Sequence, residues 1–103
     1  MKPKRNPDIK WRLEEGLYEA AKEKANKGEA FEDMGVLTLM AGGAIHQLNL
    51  VGAEIWLRIN GINRVDKVVE EISALFEVEA KKTKEDIEAF LDSIKKRGWI
   101  TIE

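Results

Sequence analysis

Residues 44–56 read Ala44-Ile45-His46-Gln47-Leu48-Asn49-Leu50-Val51-Gly52-Ala53-Glu54-Ile55-Trp56, and the fold turns on how they are read. The first five alternate, with Ile45 and Gln47 on one side and Ala44, His46 and Leu48 on the other, as an extended strand does. Asn49 then suits a helix N-cap, because its side-chain oxygen can accept an unpaired backbone N–H of the first turn. Val51, Ile55 and Ile59 recur at four-residue spacing with Trp56 beside them, which makes one apolar stripe. A strand therefore runs directly into a helix.

Upstream, Gly42-Gly43 separates this strand from Val36-Leu37-Thr38-Leu39-Met40-Ala41, a second strand by composition. Two glycines between apolar runs predict a tight hairpin turn. Such a turn sets Ala41 against Ala44, Leu39 against His46 and Leu37 against Leu48, on the face predicted to pack on helices. Val36, Thr38 and Met40 share the other face with Ile45, Gln47 and Asn49. Further back, Ile9-Lys10-Trp11-Arg12-Leu13 alternates apolar and basic, which predicts a first strand. Leu13, Leu17, Ala21 and Ala25, with Tyr18 alongside, predict a charged helix over residues 13–27 that Gly28 closes. Residues 1–8 carry Lys2, Lys4, Arg5 and both prolines and are expected to form a mobile basic tail.

Downstream, Asn60-Gly61 ends the first helix. Asn63 is expected to cap a second, with Val65, Val69, Ile72 and Phe76 inward, joined by Val68 and Leu75. Thr83-Lys84-Glu85-Asp86 resembles a capping box. It would open a third helix over residues 84–97, which turns Ile87, Phe90, Leu91 and Ile94 inward before Gly98 stops it. Trp99-Ile100-Thr101-Ile102 finishes as an extended piece. This order predicts an α+β fold: an N-terminal antiparallel β-sheet of about three strands, then a tri-helical bundle, winged-helix-like, in a single domain over residues 9–103.

The 103 residues are 44% hydrophobic and 35% charged, an ordinary balance for a soluble domain. A formal net charge of −2 is a poor electrostatic start for binding nucleic acid. Without cysteine, disulfides, thiolate metal sites and cysteine nucleophiles are excluded. No apolar run approaches membrane-spanning length, so the expected location is the cytoplasm. His46 is the sole histidine, which leaves a catalytic triad or a histidine-rich metal site without members. The acidic residues are scattered, with no pair placed for acid–base work. Gly42-Gly43 lacks the spacing of a phosphate loop. Trp11, Trp56 and Trp99 are assigned to packing. The expectation is a protein that is not an enzyme and holds no cofactor or metal.

Binding remains. If the first strand pairs on the far side of residues 36–41, the strand Ala44–Leu48 is a sheet edge to which an extended peptide can add. On the residues alone, three readings stay open. One is a peptide-binding chaperone. Another is a winged-helix DNA-binding regulator using residues 84–97, where Lys84, Lys95, Lys96 and Arg97 are opposed by Glu85, Asp86, Glu88 and Asp92. The last is a structural dimerisation module built on the same edge. Monomer and homodimer are both compatible.

The succession His46-Gln47-Leu48-Asn49, Gly52-Ala53-Glu54-Ile55-Trp56, Asn60-Gly61, then Val65 and Val68-Val69 resembles the PqqD family. PqqD is the small peptide chaperone of pyrroloquinoline quinone biosynthesis, and its relatives are recognition-element domains that bind the leaders of ribosomally made precursor peptides. The chain looks nearest to relatives that accompany radical SAM/SPASM maturases. It departs from the minimal family pattern between Glu14 and Asp33, which is longer and more charged.

The resemblance implies a groove formed by the strand before the first bundle helix and by the last bundle helix. Carried onto this sequence, the strand supplies Ala44, Ile45, His46, Gln47 and Leu48, and the helix supplies Asp86, Ala89, Phe90, Ser93 and Arg97. Ile45 and Phe90 would anchor apolar side chains, while Asp86 and Arg97 would select charge or fix register. The implied partners are a leader peptide and a radical SAM/SPASM enzyme, with neither nucleic acid nor membrane involved. The helix over 13–27 is a candidate contact for the enzyme.

Overall fold

The computed structural model describes Met1–Glu103 throughout. In chain order the elements are β1 (Pro3–Arg5), β2 (Lys10–Leu13), α1 (Glu15–Asn26), β3 (Leu37–Ala41), β4 (Ala44–Leu48), α2 (Leu50–Arg58), α3 (Val65–Phe76), α4 (Ala80–Lys96) and β5 (Ile100–Ile102). The fold is α+β. The backbone divides into two compact units, Asp8–Glu54 and Met1–Pro7 with Ile55–Glu103.

In the unit Asp8–Glu54, Gly42 and Gly43 both take positive φ, +60° and +75°. That is the backbone of a type I′ turn, which matches the twist of the strands it joins and which side chains disfavour. The register follows the predicted one, with Ala41 against Ala44, Leu39 against His46 and Leu37 against Leu48. β2 pairs on the far side of β3, so the antiparallel order is β2-β3-β4. Leu37, Leu39 and Leu48 are buried on one face, while Met40, Ile45 and Gln47 are exposed on the other. Ala44, beside the turn, is exposed although it shares the packed face.

Asn49 caps α2 as expected, its Oδ1 accepting the Gly52 N–H at 3.0 Å. Gly28 closes α1 at φ +72°, and the Glu29 N–H reaches the Lys24 carbonyl at 2.8 Å. The inward side of α1 differs from the predicted stripe. Ala21 is fully buried but Leu17 is 48% exposed. The reason is Tyr18, whose hydroxyl donates to Glu54 Oε2 at 2.8 Å and turns its own side of the helix inward.

In the other unit, the stretch expected to be a mobile tail contains β1, antiparallel to β5. Lys2 N–H donates to the Glu103 carbonyl at 2.7 Å and Asn6 N–H to that of Trp99 at 2.9 Å. Gly61 N–H donates to the Pro3 carbonyl on the opposite side at 2.9 Å. Arg5 makes the strand structural. Its Nη1 donates to the carbonyls of Trp56 at 2.9 Å and Leu57 at 3.3 Å. These belong to the last turn of α2, where cations are favoured and where the Trp56 carbonyl also accepts the Ile59 N–H at 3.2 Å.

The expected cap of α3 is corrected. Arg64 occupies the cap position without a side-chain bond, and Asn63 Nδ2 instead donates backward to the Arg58 carbonyl at 3.1 Å. The expected start of α4 is corrected too. Thr83 lies inside the helix, buried, with its Oγ1 donating to the Glu79 carbonyl at 2.8 Å. A threonine hydroxyl chooses between capping an N–H and bonding the carbonyl four residues back, and here residues 80–82 are already helical. Val68, Val69 and Ile72 of α3 and Ile87, Leu91 and Ile94 of α4 are buried where these helices pack together. Phe90, predicted inward, is half-buried, and Leu75 is 47% exposed. Trp56 and Trp99 are buried, whereas Trp11 is 38% exposed. No helix is long and apolar enough to cross a membrane.

Two substitutions check this account. Arg5→Ala should lower the stability of the fold by about 1–2 kcal/mol in urea unfolding, the scale of charge-assisted hydrogen bonds that are partly solvated. Glu77 ends α3 in the left-handed region at φ +52°. Glu77→Gly should therefore raise stability by about 0.5–1 kcal/mol, less than the full left-handed penalty because glycine also loses more backbone entropy on folding.

Candidate functional site

β4 ends the sheet, and β5 pairs with β1, so no strand of the chain occupies the outer side of β4. The turn settles which peptide groups are left there. Residues flanking a two-residue turn exchange hydrogen bonds, and bonded and non-bonded pairs then alternate along an antiparallel ladder. Ala44 and His46 thus spend their N–H and C=O on β3, and the Leu48 carbonyl accepts the Val36 N–H, just before β3, at 2.8 Å. Ile45 and Gln47 direct theirs outward.

The two sheet edges differ in chemistry. β2 exposes Lys10 and Arg12, the latter paired with Glu14 at 2.8 Å. The hydrogen bond and the charge of Glu14 raise the Arg12 pKa above its ordinary value. Charges of this kind discourage a further strand from adding. β4 has no Lys, Arg, Asp, Glu or Pro.

The side chains of β4 divide by face. Ile45 is 69% exposed and stands opposite Met40, itself 58% exposed. His46 is half-buried opposite Leu39, and Leu48 is buried, so Leu48 is a packing residue. Gln47 leans over Gly35: a Cβ built on that glycine would stand 2.6 Å from Gln47 Oε1.

The other candidates lie on α4. Asp86, Phe90, Ser93 and Arg97 follow one another at helical spacing in a strip beside the buried Ile87, Leu91 and Ile94, with Ala89 adjoining. Phe90 is half-buried and the rest are exposed. Asp86 Oδ1 accepts from Lys82 Nζ at 3.0 Å, which raises the Lys82 pKa. The Arg97 guanidinium lies 5.2 Å from the centre of the Trp99 ring. The first five lie on β4 in one unit, and the other five on α4 in the other, with Arg97 at its C-cap.

The sequence placed Met40 on the face of Ile45, as the register bears out, but sequence reasoning missed Gly35, Lys82 and Trp99 as neighbours of site residues. The four-residue spacing to Asp86 carried the signal for Lys82. No group of three or more His, Asp or Glu side chains is placed to hold a metal ion. Gly35→Ala should push the Gln47 side chain aside and lower stability by about 1 kcal/mol, the low end for overpacking. A shifted Gln47 side-chain amide peak in a spectrum that is otherwise native would record it.

Two comparisons, with curated proteins and with solved structures, give no match. The profile of the family described as Coenzyme PQQ synthesis protein D (PqqD) matches residues 35–100. That span takes in β3, β4 and α2 to α4, while β1, β2 and α1 lie outside it. The family is one of non-catalytic accessory proteins that bind a precursor peptide in PQQ biosynthesis and interact with its enzymes. With more than half of its length matched, the chain belongs to the PqqD family.

Proposed function

We propose that the chain captures the leader of a ribosomally made precursor peptide by strand addition to the outer side of β4, and presents the rest of that peptide to a radical SAM/SPASM enzyme. The observation that carries this is the uncharged edge on which Ile45 and Gln47 offer unspent backbone groups, inside the family match. Each hydrogen bond a guest makes there contributes only about 1 kcal/mol net. Side chains must therefore add both affinity and choice. The α4 strip is a second recognition surface, where Phe90 offers apolar contact and Ala89 and Ser93 leave room. A guest residue that engages Asp86 or Arg97 competes with Lys82 or Trp99. Holding the leader raises the local concentration of the remaining peptide at the enzyme, with no catalytic group needed in the chaperone. The alternative of DNA reading through α4 is weakened because Lys82 and Lys96 are paired with Asp86 and Asp92, at 3.0 and 3.1 Å.

Ile45→Pro tests the edge selectively. The lost N–H faces away from β3, and proline is tolerated at edge positions of that kind, so the fold should survive. Binding of a synthetic leader, taken from a precursor gene adjoining this one, should fall about tenfold or more. In wild-type protein the same leader should shift the Ile45 and Gln47 amide resonances. Unchanged affinity in a folded Ile45→Pro protein refutes the proposal.

A further inference from the structure

Strand addition alone does not say which peptides fit, but the solvent face of the sheet constrains them. Side chains on one face of a sheet line up in rows across neighbouring strands, and neighbours in a row interact. The register puts Lys10, Met40 and Ile45 in one row and Arg12, Thr38 and Gln47 in the next. Met40 and Ile45 form a non-hydrogen-bonded pair, the type in which side chains stand closest. Both are largely exposed, at 58% and 69%. Gln47 leans over Gly35, which precedes β3, and so away from the open edge. Ile45 is thus the long side chain of β4 that a guest meets on this face, and Met40 behind it continues the apolar surface.

Given that a peptide adds to β4, the geometry points to a guest chosen by one apolar side chain. The guest is an extended segment whose residue beside Ile45 is branched aliphatic or aromatic and completes the Met40–Ile45 row. The guest residue two places along on the same face, beside Gln47, is free to be polar, because the row through Thr38 and Gln47 is polar; two places the other way lies the side-chain-free turn residue Gly43.

The test is a random peptide-display selection against the whole protein and against Ile45→Lys, a change at an exposed position that the core does not feel. Amide spectra of each protein with its selected peptides complete it. Wild type should enrich peptides with one fixed apolar position. Ile45→Lys should turn that position acidic. Alanine there should weaken binding to wild type about fivefold, the upper end for a cross-strand pair, and alanine two places away should change it less than about twofold. If selected peptides move the Ile45 and Gln47 amides but share no apolar position, the inference fails while strand addition stands. The same holds if Ile45→Lys selects the same peptides as wild type. Selected peptides that leave those amides unmoved overturn strand addition itself, and the inference with it.

Discussion

A strand that leaves a two-residue turn has no freedom over which of its peptide groups face its neighbour. Gly42 and Gly43, both at positive φ, commit Ala44 and His46 to β3 and turn Ile45 and Gln47 the other way. Alternation also places the side chains of Ile45 and Gln47 together on the solvent face. The same two residues therefore present both the backbone groups and the side chains that an arriving strand encounters. A slip of one residue would reverse both at once, burying Ile45 and exposing Leu48. The left-handed conformation costs a residue with a side chain about 1–2 kcal/mol, so the two glycines hold this arrangement at little strain.

The sheet treats its edges unequally. β2 shields its side with Lys10 and Arg12, and the chain passes almost at once into α1. β4 has neither device. An exposed, uncharged edge invites unwanted pairing, and proteins usually blunt it. No strand of the chain covers it. β5 is not the cover, because its pairing is already spent on β1.

What was legible in the sequence was local. The hairpin, its register, the Asn49 cap and the glycines that close α1 and α4 all depend on residues within a few positions of one another. The β1–β5 pair was illegible because its members lie at opposite ends of the chain and Pro3-Lys4-Arg5 carries no apolar alternation. Glu54 interrupts an apolar stripe and makes sense only once the Tyr18 hydroxyl is seen beside it. The role of Thr83 turned on whether the residues before it were helical, which its own surroundings did not decide. On α4 the family resemblance pointed to the strip from Asp86 to Arg97, but the stacking of Arg97 on Trp99 required the chain to turn at Gly98.

The pairing of Pro3–Arg5 with Ile100–Ile102 bears on how the chain is made. During synthesis β1 leaves the ribosome long before β5 exists, and Arg5 can find the end of α2 before its own strand has a neighbour. The unit Asp8–Glu54 is continuous in sequence, so its hairpin can close while later residues are still being added, as local contacts permit. The bare edge of β4 is then present on the nascent chain before the terminal strands can knit together. That edge stays bare after β1 and β5 have paired, so it is exposed from synthesis onward.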